Sequence, residues 1–169
     1  RNVTSLAVQM GPEVLLFDCG EGIQRQLMRS SVSFMRIPRI FISHLHADHF
    51  LGLPGLIQSM SLNGREDELE ICGPEGIAKT VRSLMNLGYF KSGYKVRART
   101  LSPGDSLACD GYRVTTAAAD HTVPALAYAV EEDLRGGRFD PRKAEALGVP
   151  AGPMFSALQR GERVRVKGK

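Results

Sequence analysis

The sequence predicts an α/β fold in which short apolar strands alternate with amphipathic helices. Short apolar runs bounded by Gly-Pro, Pro-Gly or Asp-Gly pairs recur along the chain, a pattern typical of strands joined by tight turns. Between several of these runs, apolar residues follow helical spacing. The chain has 169 residues and is 43% hydrophobic, so it can bury one sizeable core.

The elements follow in order from these patterns. We expect a first pair of strands to meet at the Gly11-Pro12 turn, and later strands to meet at Pro103-Gly104 and Asp110-Gly111. Three helices are expected: Gly22–Arg29, one that starts at Leu53, and one from Ile77 to Met85. The predicted strands are 6–9, 14–17, 40–42, 69–72, 95–101, 106–109, 112–117 and 125–130.

All four histidines of the chain fit one metal site. His44, His46 and His49 lie within FISHLHADHFLGLPGL together with Asp48, and His121 stands alone in ADHTVPALAYA. Imidazole nitrogens and carboxylates are the ligands that zinc needs, and they must converge within about 2.0–2.2 Å of one ion. The cluster follows a predicted strand and precedes a predicted helix, so its side chains project from a rigid base. Taken alone, His121 could be a structural or an exposed histidine.

The spacing of the cluster favours two metal ions. If residues 43–48 are extended, alternation places His44, His46 and Asp48 on one face and His49 on the other. Five ligands divided between two faces suit two neighbouring ions better than one closed tetrahedral site, which would be saturated.

These motifs resemble those of a known family. SHLHADHFLGLPGL is similar to the signature of the metallo-β-lactamase superfamily, and of its ribonuclease Z branch in particular. Further segments agree with that branch in order: Arg1-Asn2, LLFDCGEGIQRQL, LEICGPEGI, the isolated His121 and GVPAGPMFSALQRGE. The resemblance implies the N-terminal part of an αββα sandwich with a protruding basic arm.

The resemblance also implies a function. It would make the protein an endoribonuclease that removes the 3′ trailer from precursor tRNA by hydroxide attack on the phosphodiester after the discriminator nucleotide. His44, His46 and His121 would hold one zinc ion, and Asp48 and His49 the second. Asp48 would also be catalytic, orienting the nucleophile and accepting its proton. Asp18 would brace the loop that carries residues 44–49, called the metal loop below, by hydrogen bonding. An ordinary helix cap would also explain this aspartate.

Two more features come with the resemblance. The family is commonly homodimeric, with the helix after the metal loop near the partner; its apolar residues could equally belong to the core (Leu53, Leu56, Ile57, Met60). In the family, a later aspartate bridges the two ions and a later histidine completes the second site, and we expect both from beyond Lys169. Asp105, in Gly104-Asp105-Ser106, is predicted to be a turn residue instead.

The charge is unevenly distributed. The net charge is +4, yet from Arg135 to Lys169 nine basic residues face three acidic ones, while the first 134 residues carry 13 basic and 15 acidic residues. We therefore predict a metallo-β-lactamase-like core over 1–130 and a tRNA-binding arm over 131–169, with flexible Gly136-Gly137. A solvated surface would explain the charge equally well on its own.

A second, smaller basic group is interleaved with aromatic residues: Tyr89, Phe90, Lys91, Tyr94, Lys95, Arg97 and Arg99. It could contact RNA or coat a surface.

Cys19, Cys72 and Cys109 are far apart and predict buried thiols rather than disulfides. No apolar run is long enough for a membrane span, and a cytoplasmic protein is expected.

Two other functions are compatible with these patterns. A superfamily hydrolase of a small ester, thioester or lactone would share the H-x-H-x-D-H loop but would have no use for the basic arm. A non-catalytic RNA-binding subunit would use the arm but would not need stoichiometric metal.

Overall fold

A computed structural model describes residues 3–133 and 139–166. Gly136 and Gly137, which the sequence predicts to be flexible, lie outside the described residues, as do Arg1, Asn2, Arg135, Arg138, Lys167 and Lys169. The chain forms two compact units, Arg1–Glu131 and Glu132–Lys169.

The first unit alternates strands and helices. Its strands are β1 (Leu6–Met10), β2 (Glu13–Phe17), β3 (Arg39–Phe41), β4 (Leu69–Gly73), β5 (Val96–Thr100), β6 (Ser106–Ala108), β7 (Tyr112–Ala118) and β8 (Leu126–Glu132). Its helices are α1 (Ile23–Arg29), α2 (Ala47–Phe50), α3 (Leu53–Leu62) and α4 (Ile77–Met85), with a 3-10 turn at Phe34–Arg36. The predicted strands and helices are confirmed, with ends that differ by one or two residues. In this unit, the 3-10 turn and α2 were not predicted from the sequence.

The strands form two sheets. The first sheet has the order β1-β2-β3-β4-β5, in which β1 is antiparallel to β2, and β2 to β5 run parallel. The second sheet has the order β6-β7-β8. Because β2, β3 and β4 run parallel, the loops that follow β2 and β3 emerge at the same edge of the sheet.

Alternate residues of the central strands enter two different cores, as expected for strands covered on both faces. On one face, Leu16, Ile40 and Ile71 pack with α1, α3 and α4. On the other face, Leu15 and Phe41 pack with residues of the second sheet. The first unit is therefore layered as helices, sheet and sheet.

The helix that follows the metal loop belongs to the core. Leu53, Leu56, Ile57 and Met60 of α3 are at most 1% exposed and pack against the first sheet. Of the two alternatives for these residues, the core is therefore correct. Among the described residues, no helix combines the length and the apolar character that crossing a membrane requires.

The second unit contains two short helices, α5 (Pro141–Ala146) and α6 (Pro153–Gln159). Asp140 caps α5, because its Oδ1 accepts a hydrogen bond from the Lys143 backbone N–H at 3.1 Å. The rings of Phe139 and Phe155 pack edge to face, with centroids 4.9 Å apart.

Candidate metal centre

The histidines lie at the edge of the first sheet where β2 and β3 end. His44 and His46 follow β3 directly. His121 belongs to the loop between β7 and β8, far away in sequence. An antiparallel bridge between His44 and Ala125, together with a 2.8 Å hydrogen bond from Leu126 N–H to the Ser43 carbonyl, brings that loop to the end of β3.

Three of the histidines converge on one point. Ligand nitrogens of His44, His46 and His121 all lie within 4.8 Å of one another. His121 Nε2 is 3.2 Å from His46 Nδ1. Two nitrogens bound to one tetrahedral zinc ion would lie roughly 3.3 Å apart, given zinc–nitrogen distances of about 2.0–2.1 Å. The His46 and His121 nitrogens already have this separation, and the third ring lies close enough for all three to bind a single ion once the wider separations, of up to 4.8 Å, have closed.

The surroundings of His44 favour its neutral form. Burial lowers the pKa of this imidazole, and the neighbouring His49, His121 and His46 lower it further. Neutral imidazole is the form that binds metal, so the protein environment and metal binding act in the same direction.

Asp48 and His49 form a separate pair. Both residues belong to α2, so the expectation that residues 43–48 stay extended is wrong beyond His46. A helical turn rises only about 1.5 Å per residue and rotates Asp48 away from the line of His44 and His46. His49 Nε2 lies 3.6 Å from Asp48 Oδ2, and the His49 and His44 ring centroids are 4.0 Å apart. The pair therefore adjoins the three histidines without belonging to their cluster.

Asp18 connects the end of β2 to this loop. Its carboxylate accepts hydrogen bonds from the Ser43 backbone N–H at 2.7 Å and from the Ser43 hydroxyl at 2.9 Å, and it lies 2.7 Å from His49 Nδ1. Asp18 is 7% exposed and is the one non-glycine residue with positive φ (57°) in the described part of the chain. It holds the loop in place and does not cap a helix, since Gly22 precedes α1.

These contacts fix which nitrogen each ring offers. The Ser43 hydroxyl has one proton, which it donates to Asp18, so His44 Nδ1 must donate to Ser43 Oγ at 2.9 Å. His49 Nδ1 likewise donates to Asp18. Nε2 of both rings is left with its lone pair available to a metal. Ser43 was not predicted to be a functional residue, because its position immediately before H-x-H is the only signal that the sequence offers.

Two glycines allow the loops to approach each other closely. A Cβ atom at Gly52 would lie 2.2 Å from the Gly20 carbonyl oxygen, and one at Gly20 would lie 2.5 Å from the Asp48 carbonyl oxygen. Backbone hydrogen bonds join the same segments: Cys19 N–H donates to His49, and Gly52 N–H donates to Cys19. The loop after β2 and the metal loop thus form one closely packed structure.

Comparisons with known proteins agree with this architecture. The family model of the beta-lactamase superfamily domain matches residues 14–149, and the chain belongs to that superfamily. Within it, the resemblance to ribonuclease Z is confirmed. The chain is 47% identical to "Ribonuclease Z" of Methanosarcina acetivorans over 169 residues, which cover 100% of this chain and 55% of that protein.

Two further relatives support the same placement. "Ribonuclease Z" of Methanothermobacter thermautotrophicus is 48% identical over 98% of this chain and 54% of its own length. The crystal structure of human tRNase Z, short form, matches with a TM-score of 0.71 and 31% identity over 79% of this chain and 58% of that chain. The chain spans about half the length of the curated relatives it matches. The predicted metallo-β-lactamase fold is confirmed.

Proposed function

We propose that this protein is a metal-dependent endoribonuclease that removes the 3′ trailer from precursor tRNA by cutting after the discriminator nucleotide. The observation that carries the proposal is the convergence of His44, His46 and His121 beside the Asp48–His49 pair. The similarity of the whole chain to proteins named ribonuclease Z supports this choice of reaction and substrate.

We propose that the site holds two zinc ions. His44, His46 and His121 would hold one ion, and Asp48 and His49 would contribute to the second. Paired metal ions in such sites activate water and stabilise the charge that develops on a phosphodiester. Imidazole and carboxylate donors alone do not select zinc over manganese or iron, so the identity of the metal belongs to the proposal.

The chain's own residues have distinct tasks in this reaction. The Asp48 side chain is 58% exposed, so its carboxylate can reach a water molecule that approaches the phosphodiester, orient it and accept its proton. Asp18 and Ser43 position the rings of His44 and His49 through their Nδ1 atoms. Neither Asp18 nor Ser43 needs to touch the substrate.

The second unit is proposed to be the tRNA-binding arm, over residues 131–169. Within its described part, five exposed cations lie on or near the two short helices: Arg142, Lys143, Arg160, Arg163 and Arg165, of which Arg160 pairs with Glu162. Lysine and arginine side chains bind phosphates without reading base sequence, which is sufficient for holding a folded RNA in position.

Association and location are part of the same proposal. We expect a homodimer, and exposed apolar side chains on the helix layer support an interface there: Met28 is 64% exposed and Leu62 is 85% exposed. Sedimentation equilibrium would test this. The cytoplasmic location stays a prediction.

The decisive experiment is a cleavage assay on a 3′-extended precursor tRNA, with mapping of the product ends. The assay uses the protein in the full length that its gene encodes, with and without chelator. We expect a metal-dependent cut directly after the discriminator nucleotide. A metal-loaded protein that hydrolyses small esters or lactones but does not cut the RNA would contradict the proposal. RNA binding without stoichiometric metal would instead favour a non-catalytic subunit.

Asp48→Ala tests the mechanism in the same assay. We expect cleavage to fall by about 100-fold or more, because the group that accepts the proton is lost, while tRNA affinity stays within about twofold. Asp110→Ala, at an exposed turn, is the matched control and should cut like the unaltered protein. An equal loss of cleavage and of tRNA binding in Asp48→Ala would show that the aspartate is structural.

A further inference from the structure

The charge of the first unit is concentrated in one continuous segment. From Gly76 to Gly104 the chain contains six basic residues and no aspartate or glutamate, although the first 134 residues together are slightly acidic. This segment comprises α4, the loop after it and the edge strand β5. A positive surface therefore lies on the body of the protein, separate in sequence from the basic arm.

Some of these cations are used for structure. Lys95 pairs with Glu68, and Arg99 lies 3.8 Å from Glu70 across the β4–β5 pair. Lys79, Arg82 and Lys91 make no ion pair with another described residue. Their charge is thus available to an external anion.

A groove runs along this surface. A cavity of about 420 Å³ is lined by Asn86, Tyr89, Phe90 and Lys91, among others. A second cavity of about 350 Å³ is lined by Arg82, Val96 and Ala98, and both cavities share Met85 and Asn86. Each volume lies in the range of ligand sites, about 300–1,000 Å³.

The aromatic residues of the loop differ in their roles. Tyr94 is 7% exposed, and its hydroxyl donates to the Ile57 carbonyl, while Gly93 N–H donates to Ser61 Oγ at 2.9 Å. These contacts anchor the loop against α3. Tyr89, in contrast, is fully exposed and packs against no core cluster in the described chain. The fold therefore does not account for a large aromatic ring at this position.

We propose that this groove binds an unpaired nucleotide of the RNA substrate, with its base stacked on Tyr89 and its phosphates beside Lys91 and Arg82. Stacking on an exposed aromatic ring and neutralisation by adjacent cations are the two interactions by which proteins bind single-stranded nucleic acid. A protein partner would be expected to bury the apolar residues of the groove as well. The absence of acidic residues from residues 76–104 instead favours a polyanion. This inference rests on the proposed function, since it assumes an RNA substrate.

The position of the groove defines which part of the RNA it can meet. Tyr89 and Lys91 precede β5, whereas the metal loop follows β3, and the two strands run in the same direction. The end of the groove that contains Tyr89 and Lys91 therefore lies at the opposite end of these strands from the metal centre. A strand of five residues is roughly 16 Å long, so the bound nucleotide lies at a distance from the scissile bond.

The test combines binding with photochemical cross-linking. The binding partners are precursor tRNA and a short single-stranded oligonucleotide, each measured over a series of salt concentrations. We expect Tyr89→Ala to weaken oligonucleotide binding about fivefold or more, and Tyr89→Phe to bind like the unaltered protein, because stacking needs the ring and not the hydroxyl. Irradiation of RNA that contains 4-thiouridine should label the peptide that carries Tyr89.

Charge is tested separately. Lys91→Ala and Arg82→Ala should each lower the slope of log affinity against log salt by roughly 0.7–0.9. Arg29→Ala removes an exposed cation of α1 outside the groove and is the matched control. It should change neither the cross-link nor the dependence of oligonucleotide affinity on Tyr89. Equal thermal stability of all variants will show that they are folded.

The outcomes separate this inference from the proposed function. If the protein cuts precursor tRNA but Tyr89→Ala binds and cross-links unchanged, the groove assignment is wrong and the proposed function stands. If no cleavage occurs but the oligonucleotide still depends on Tyr89, the groove stands and the assigned reaction fails. Loss of affinity in the lysine and arginine variants alone would overturn stacking and leave only non-specific charge attraction.

Discussion

Asp18 braces the metal loop although it is not one of the proposed metal ligands. Its two oxygens contact the Ser43 backbone, the Ser43 hydroxyl and His49 Nδ1. An amide in place of this carboxylate can accept fewer of these bonds and presents its NH₂ group to a donor. Residues that orient metal ligands in this way typically contribute 10- to 100-fold to metal affinity.

We therefore expect Asp18→Asn to lower metal affinity by roughly 10- to 100-fold and the free energy of unfolding by about 1–3 kcal/mol. Competition with a metal indicator and thermal unfolding of the metal-free protein measure the two effects. Asp105→Asn is the control, because Asp105 accepts a hydrogen bond from Ser102 N–H in an exposed turn far from the histidines in the chain. Unchanged metal affinity in Asp18→Asn would mean that the ring of His49 needs no such support.

We expect the three cysteine thiols to differ in reactivity because they differ in burial. Burial raises the pKa of Cys19 far above its usual range, and burial, followed by the charge of Glu70, raises the pKa of Cys72 to about 12. Cys109 is only half-buried, with Arg39 Nη1 at 3.2 Å from its sulfur. The prediction of buried thiols thus holds for two of the three cysteines.

At pH 8 we expect a thiol reagent to modify Cys109 in the native protein and all three cysteines after unfolding. Mass spectrometry of the labelled peptides distinguishes them. Because the pKa of Cys72 rises from 9.0 to about 12 on folding, its thiol favours the folded state below pH 9, and this contribution is lost as the pH rises towards 12. Labelling of native Cys72 at pH 8 would contradict this account.

At the scale of elements, the packing of the metal loop depends on Gly52. A methyl group there would meet the Gly20 and Cys19 carbonyl oxygens at 2.2 and 2.8 Å, and backbone atoms cannot rotate out of the way. We expect Gly52→Ala to lower the free energy of unfolding by about 1–3 kcal/mol and to reduce metal occupancy. Chemical denaturation and metal analysis will measure both.

Gly55→Ala, three residues further along and inside α3, provides the matched control. Its added methyl group would meet only the end of the Gln24 side chain, at 2.9 Å, which can move. The alanine also favours helix by about 0.5–1 kcal/mol. Equal effects of the two substitutions would show that the close approach at Gly52 is not important.

The strands could be predicted because their apolar alternation involves only residues that are neighbours in the sequence. The same is true of the apolar spacing and the proline positions that predict α3 and α4. The metal loop could not be predicted in full. Its spacing predicts an extended chain, whereas the Cys19–His49 and Gly52–Cys19 hydrogen bonds close it into α2. Those bonds join segments about thirty residues apart, and no local pattern in HLHADH indicates them.

At the scale of the whole molecule, the two units differ in net charge, since the basic residues are in excess only in the second one. If the arm binds the phosphates of tRNA, replacing Arg142, Lys143, Arg163 and Arg165 with glutamine should reduce the magnitude of the salt dependence of tRNA affinity by roughly 0.9 per residue. The rate of the cleavage step at saturating RNA should stay unchanged. Titrations at several salt concentrations and single-turnover kinetics measure the two quantities.

Arg25 and Arg29 on α1 serve as controls for this prediction, since they are exposed cations of the first unit. Their replacement should leave the salt dependence closer to that of the unaltered protein. Binding that is independent of salt in the unaltered protein would refute the electrostatic role of the arm.

The bridge between His44 and Ala125 bears on the order of events during synthesis and folding. His46 and His121 are separated by 75 positions, so their meeting closes a long loop, and β4 to β7 all lie inside it. The three-histidine cluster can be complete only after β8 has emerged from the ribosome and joined the end of β3. Metal uptake by these three histidines would then follow the synthesis of β8, and a nascent chain that ends before β8 has no complete three-histidine site.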